Sequence, residues 1–264
     1  MIFRRIKAHV AKEDWFAVIL DFFIVVAGVG MALMAEQWIG GRHARSDLAQ
    51  AKIAIRGDLY DNYFNVKERI SLAECRKVRT RELAHALSQP DAQWTGMPLI
   101  GYADGIASVF PPVLPATYRQ WGSRIWDAEF QNGTFNGMDQ ERKQAMDSMF
   151  SMAKYMNVIQ AKVYDTQARL RVLALTTDMT TSDRIKYYEL LTYHDGQSSL
   201  IELGSQQIML QIEGIGLDDD KAIHAQYSDL VTRFNTGQSE QLGECYTPIV
   251  LPFLEGNNEV KVTP

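Results

Sequence analysis

A carboxylate inside an apolar run is the feature of this sequence with the clearest chemical potential. Asp21 lies in the stretch DWFAVILDFFIVVAGVGMALMAEQW, which has the length and composition of a membrane span. An ionised carboxylate within the hydrocarbon layer costs about 2.5–3.5 kcal/mol. Three interpretations follow: docking to a donor on a partner helix, hydration near the headgroups as a helix cap, or a proton relay. Docking is our leading hypothesis.

Asp21 shares one helix face with small residues. Positions that step by three or four residues line up on one side of a helix. We call this set the docking face: Ala17, Asp21, Val25, Gly28, Ala32 and Ala35. Gly28 and Ala32 form a small-xxx-small pair, which lets another helix approach closely. The pattern predicts docking against another inner-membrane subunit or a second copy of this chain.

Residues on both sides of the span predict how it lies in membrane lipid. The first 14 residues form a short basic amphipathic helix that would place Arg4, Arg5 and Lys7 among the headgroups. Trp15 and Trp38 mark the two interfaces. An uncleaved signal anchor is favoured over a cleaved signal peptide, because the apolar region is long and no A-x-A site follows it. The clustered N-terminal charges indicate a cytoplasmic N-terminus and a periplasmic bulk.

Cysteines and histidines are the other residues that could carry chemistry. Cys75 and Cys245 could form one disulfide in an oxidising periplasm, or remain two separate buried thiols. His194 and Asp195 lie in an expected helix break, which indicates a surface turn rather than a catalytic base. No zinc spacing, P-loop, dinucleotide motif or hydrolase motif occurs, so we expect no enzyme, metal or cofactor.

The charge and length of the chain limit its class. The 264 residues carry a net charge of -5, which argues against a nucleic-acid binder. Beyond the span, roughly 220 residues remain, enough to bury a sizeable core. The sequence divides into an interfacial helix (1–14), a transmembrane helix (15–39), a periplasmic helical bundle (40–247) and a C-terminal tail (248–264).

Helical periodicity dominates the chain beyond the span. Apolar residues at three- and four-residue steps predict long amphipathic helices, with almost no strand pattern. The expected helices begin after Gly40-Gly41, near Pro115, near Asp139 (to Leu175), at Thr181 or Ser182 (with a break at 193–199), and near Asp218. The Asn-Gly pairs at 132–133 and 136–137 predict a helix-to-helix turn. The fold class is therefore all-α, a transmembrane helix followed by a bundle of long antiparallel helices.

The span also resembles a known family. WFAVILDFFIVVAGVGMALMAEQW, with ATYRQWGSRIWDAEF at 116–130, is similar to a family of uncharacterised bacterial single-span inner-membrane proteins. Members have an acid in the N-terminal span and a Trp just past it. The stretch EQWIGGRHAR departs from the polar residue that members place beside that Trp. The resemblance implies location and architecture, and it carries no activity or catalytic residue.

These observations predict a non-enzymatic accessory, scaffold or assembly subunit of an inner-membrane complex. It would dock through the docking face and through its periplasmic bundle. The first alternative is a periplasmic sensing or ligand-binding bundle that works through a signalling partner. The second is an ion-coupled motor subunit that uses Asp21 for protons.

Overall fold

The chain is almost entirely helical. A computed structural model describes residues 15–90, 93–99, 110–217 and 221–251. Five α-helices occur in this part: α1 (Trp15–Ser88), α2 (Arg124–Gln131), α3 (Gln140–Leu170), α4 (Thr181–Ile215) and α5 (Lys221–Leu242). Strands β1 (Gln93–Trp94) and β2 (Thr177–Asp178) pair antiparallel. The predicted all-α class is confirmed.

Helix α1 is a single uninterrupted helix of 74 residues. At 1.5 Å per residue it is about 110 Å long. It continues through Gly40 and Gly41, where the sequence predicted the start of a separate helix. A helical glycine costs about 1 kcal/mol relative to alanine, and long helical stretches on both sides offset that cost. The backbone therefore shows no break at the predicted boundary between the transmembrane helix (15–39) and the bundle (40–247).

Three helices build the core of the bundle. Helix α4 packs against both α3 and the second half of α1. Their facing side chains form one buried apolar cluster that includes Ile55, Tyr63, Met149, Met156, Ile201 and Ile208. Helix α5 contacts α1 through aromatic rings. Tyr227 stacks on Tyr60 with ring centroids 5.7 Å apart, and Phe234 lies 6.0 Å from Phe64.

The termini of α3 and α4 follow local capping chemistry. Asp139 caps α3 by accepting from the Arg142 N–H at 3.0 Å, close to the predicted start. Thr180 caps α4, one or two residues before the predicted cap. Thr180 and Asp183 form a capping box, in which each side chain accepts from the other's backbone N–H at 3.1 and 3.0 Å. Hydrogen bonds to the Asp183 carboxylate from the Thr180 hydroxyl, at 2.6 Å, and from the Thr180 N–H hold the pKa of that carboxyl below its ordinary value.

Helix α4 has no break at residues 193–199, so that prediction is wrong. Gly196 weakens the helix locally, but His194 and Ser198 on the neighbouring turn are buried. The packing of α4 against two helices offsets the cost of the glycine.

The two Asn-Gly pairs do connect helix to helix, through the 3-10 turn Thr134–Gly137 between α2 and α3.

The expected helix start near Pro115 is also wrong, because residues 114–122 are not helical. We call these residues the inserted segment.

Hydrogen bonds from two helices hold the inserted segment. Side chains of α1 donate to three of its carbonyls: Asn62 to Gly122 (2.9 Å), Asn65 to Gln120 (2.8 Å) and Arg69 to Arg119 (2.8 Å). Side chains of α3 donate to four: Asn157 to Trp121 (3.0 Å), Gln160 to Arg119 (2.9 Å), Tyr164 to Thr117 (2.7 Å) and Gln167 to Leu114 (3.0 Å). These bonds replace the internal hydrogen bonds of a helix.

A disulfide joins the C-terminal part of the bundle to α1. Cys75 and Cys245 are bonded, with Cα atoms 4.8 Å apart and a separation of 170 positions in sequence. Beyond it, Asn235 of α5 exchanges hydrogen bonds with the backbone of Ile249 at 2.8 and 2.9 Å. Ile249 and Leu251, which the sequence analysis placed in a separate tail, are buried in the core.

Removing the disulfide should destabilise the bundle strongly. Opening a loop of this length costs about 5 kcal/mol in the chain-entropy model. We expect a protein with both Cys75→Ser and Cys245→Ser to show a much lower thermal midpoint than the wild type. Reductant should lower the midpoint of the wild type in the same way and leave the double variant unchanged. If neither the double substitution nor the reductant changed the thermal midpoint, the result would contradict the Cys75–Cys245 disulfide.

Two glycine substitutions should act in opposite directions. A Cβ at Gly57 in α1 meets no atom within 4 Å, so Gly57→Ala should raise the free energy of unfolding by about 1 kcal/mol. Gly96 has a φ of 74°, and its Cβ would lie 2.8 Å from the Ala174 carbonyl oxygen. Gly96→Ala should therefore lower that free energy by more than about 1 kcal/mol. Thermal unfolding followed by circular dichroism measures both, and shifts of the same sign would contradict this geometry.

Candidate functional site

The N-terminal part of α1 exposes a long apolar surface. Among the described residues, one helix is long and apolar enough to cross a membrane. Its most apolar window has a mean hydropathy of 1.8, and none of that window is buried. Its exposed side chains include Phe22, Phe23, Ile24, Val26, Met31 and Met34. Such a surface is unfavourable in water and calls for lipid or a protein partner.

The docking face lies on this exposed stretch. All six of its residues belong to α1, so the regular helix places them along one side. Val25, Gly28, Ala32 and Ala35 are exposed, and a Cβ at Gly28 would meet no atom within 4 Å. Nothing in the described part of the chain covers these four residues.

The predicted interface anchors are only partly described. Trp38 is exposed, and the Arg42 guanidinium lies 4.8 Å from its ring centroid. Trp15 is the first residue of α1. The predicted anchors Arg4, Arg5 and Lys7 lie outside the described residues, as does the expected helix start at Asp218.

A second candidate site is a half-open cavity of about 70 Å³ between the helices of the bundle. Helices α1, α3 and α4 and the inserted segment all contribute to its wall. The polar lining consists of Arg69, Arg76, Thr117, Gln160, Tyr164, His194, Ser198 and Glu202. The apolar lining consists of Leu72, Ala73, Pro115, Ala116, Val163 and Ile201. Among these residues, only His194 is marked by the sequence as a candidate for chemistry.

Arg69 is a buried cation at the wall of this cavity. Its Nη1 donates to the Asn65 carbonyl at 2.9 Å, and its Nη2 donates to Gln160 Oε1 at 2.5 Å. Its guanidinium also lies over the Trp121 ring, 4.4 Å from the centroid. Burial lowers the pKa of Arg69 to about 10, with the charge of Glu68 acting in the opposite direction. Arg69 therefore remains protonated at neutral pH.

The charges around the cavity leave Arg69 without a carboxylate of its own. Among the described residues, the nearby Glu68 carboxylate pairs with Arg119 at 3.0 Å. Arg76 pairs with Asp195 and, at 3.3 Å, with Glu202. Glu202 in turn accepts from Lys77 at 2.8 Å. The wall of the cavity therefore carries an excess of positive charge.

His194 is buried rather than exposed in a turn, so the sequence-based interpretation is wrong. Its Nδ1 lies 3.0 Å from the Thr166 hydroxyl oxygen, which also lies 3.0 Å from two backbone carbonyl oxygens. The hydroxyl and Nδ1 form a hydrogen bond whose donor is set by the tautomer of the His194 ring. Burial, followed by the charge of Arg76, lowers the pKa of His194 to about 4, although Asp195 acts to raise it. His194 is thus neutral at pH 7.

Ser198 presents an unused hydroxyl to the cavity. It is 8% exposed, and its Oγ has no hydrogen-bond partner among the described residues. Ser205, on the same buried face of α4, also has an unpartnered hydroxyl but does not line the cavity. A buried hydroxyl without a partner costs about 1–3 kcal/mol, so such a group in a cavity is a candidate ligand contact.

Comparison with protein-family models, with curated proteins and with solved structures finds no match to this chain.

The sequence contains a signal for the cavity that apolar periodicity does not reveal. Polar residues recur at buried or half-buried positions of α1 (Asn62, Asn65, Arg69) and of α3 (Asn157, Gln160, Tyr164, Gln167). The described residues contain no group of three or more metal-ligand side chains that could hold an ion.

Acidification should destabilise the protein through His194. Its pKa is about 4 in the folded protein against an ordinary 6.5, so between these values only the unfolded chain binds the proton. The contribution of neutral His194 to the free energy of unfolding should be fully present at pH 7. That free energy should fall by about 2 kcal/mol by pH 5. An asparagine keeps a hydrogen-bonding amide near the Nδ1 position without titrating, so His194→Asn should lose this part of the pH dependence. Thermal midpoints at the two pH values measure it.

His85, an exposed histidine at the end of α1, provides the matched control. His85→Asn should retain the pH dependence of the wild type. If His194→Asn also retains it in full, the buried neutral state of His194 is excluded.

Proposed function

We propose that this chain is a non-enzymatic, single-span protein of the bacterial inner membrane that acts as an accessory, scaffold or assembly subunit. Its N-terminus would be cytoplasmic and its bundle periplasmic. The observation that carries the proposal is the passage of α1, without interruption, from an exposed apolar stretch into the bundle. A partner bound to the span would thereby be connected to the bundle through one continuous helix.

The docking face supports a protein partner in addition to lipid. Gly28 and Ala32 reduce the bulk of one side of the helix, so a second helix can approach closely. Asp21 belongs to the same side, and a carboxylate in hydrocarbon is stabilised by a donor on a neighbouring helix. The partner would be another membrane subunit or a second copy of this chain.

The disulfide supports a periplasmic bundle. Bonds such as Cys75–Cys245 persist in oxidising compartments and are rare in the cytosol. The cluster of basic residues before the span favours the same orientation. The resemblance to bacterial single-span inner-membrane proteins, noted from the sequence, points to the same location.

Substitutions on the docking face should release the partner. Tagged full-length protein is extracted in mild detergent, and the proteins that co-purify are identified by mass spectrometry. The wild type should retain a stoichiometric partner or dimer, whereas Asp21→Leu and Gly28→Leu should lose most of it. Leucine removes the carboxylate in the first variant and blocks close approach in the second.

Val26→Leu is the matched control, because Val26 lies on the opposite, bulky side of α1 and is already exposed. It should retain the partner. A wild type that purifies alone as a monomer, together with unchanged association of Asp21→Leu, would exclude the docking function.

The cavity favours a second candidate function, a ligand-binding bundle that signals through a partner. Four parts of the chain converge on the cavity, and Ser198 presents an unpartnered hydroxyl to it. A signal from the bundle would reach a signalling partner through α1, which continues from the bundle into the exposed apolar stretch.

A further inference from the structure

We infer that the cavity beside Arg69 and Ser198 binds a short-chain carboxylate, a small organic anion of about five to seven non-hydrogen atoms. This inference rests on the second candidate function, ligand binding, and names its ligand class. It is independent of the docking function, because the cavity lies in the bundle and the docking face lies on the exposed part of α1.

The charge of the wall selects a monoanion. Glu202, the carboxylate that lines the cavity, already accepts from Arg76 and Lys77. His194 is neutral and adds no charge at pH 7. Arg69 therefore supplies one positive charge without a carboxylate ion pair among the described residues. One negative charge on a ligand would balance it, whereas a dianion would leave a charge uncompensated in a buried site.

The available donors match the two oxygens of a carboxylate. A guanidinium has five N–H groups, and three of those on Arg69 donate to the carbonyls of Asn65 and Arg119 and to Gln160. Two N–H groups of Arg69 thus remain without an acceptor among the described residues. The Ser198 hydroxyl, which α4 contributes to the lining of the cavity, is a third donor without a partner among the described residues. Hydrogen bonds from these donors to an ionised oxygen would be of the strong, charge-assisted kind.

The remaining wall suits a short hydrocarbon chain. Leu72, Pro115, Val163 and Ile201 line the cavity with carbon. A volume of about 70 Å³ is equivalent to roughly five water-sized spheres. Propionate, butyrate and valerate fit both the size and the mixture of one charged end and one apolar end. Inorganic phosphate would offer no apolar group to these side chains.

The test is titration of sodium propionate into full-length protein in lipid nanodiscs, followed by isothermal titration calorimetry. We expect saturable binding at one site per chain, with affinity highest among acids of three to five carbons and lost for octanoate. Ser198→Ala should weaken propionate binding about tenfold, because it removes one charge-assisted hydrogen bond. This variant should fold normally, since the hydroxyl has no partner among the described residues.

Ser205→Ala is the matched control. It removes a second unpartnered buried hydroxyl from the same helix face but outside the cavity, so propionate affinity should not change. Absence of saturable binding by every acid in the series would overturn the inference. Equal affinity of wild type and Ser198→Ala would also overturn it.

Titration with inorganic phosphate tests whether the ligand must be a carboxylate, separately from whether the cavity binds a ligand at all. Phosphate binding as tight as that of propionate, and weakened by Ser198→Ala, would overturn the carboxylate class while preserving a ligand-binding function. Binding of propionate but not phosphate supports the class as proposed. Association through the docking face is measured separately, so its failure would not affect either result.

Discussion

The structure depends on the pairing of the inserted segment with α1 and α3. Residues 114–122 are neither helix nor sheet, so their backbone groups need partners from elsewhere. Asn62 and Asn157 each form two hydrogen bonds with one residue of the segment, as donor and as acceptor. Loss of these amides would leave polar backbone groups unpaired between two helices. The segment therefore determines how α1 and α3 lie relative to each other.

The cavity is a consequence of this arrangement. Arg69 and Gln160 both donate to the carbonyl of Arg119, and both line the cavity. The inserted segment closes one side through Pro115 and Ala116, and α4 closes another through His194 and Ser198. Groups that hold the segment thus also give the cavity its charge. Backbone carbonyls, the Gln160 amide and the Trp121 ring surround the Arg69 guanidinium. These contacts stabilise the buried charge, although no carboxylate among the described residues contacts it directly.

The remaining elements hold the bundle around α1. Helix α5 adds an aromatic contact layer, in which the Tyr227 hydroxyl donates to Asp61 at 2.5 Å. Burial and this bond raise the pKa of Tyr227 far above its ordinary value, so it stays a donor. The disulfide attaches the end of α5 to the same helix. Because α1 also carries the exposed apolar stretch, this stretch and the bundle are joined by one continuous helix.

The sequence by itself determined the features that depend on neighbouring residues. Helical periodicity predicted the class, Asp139 marked the start of α3, and hydropathy located the apolar stretch, because each signal is contained within a few turns. Only the tertiary structure decided the form of residues 114–122 and the burial of His194. The partners of these residues are up to 60 positions away in sequence or on another helix. Local propensity predicted a helix at Pro115 and a break at Gly196, and long-range packing and hydrogen bonds outweighed both.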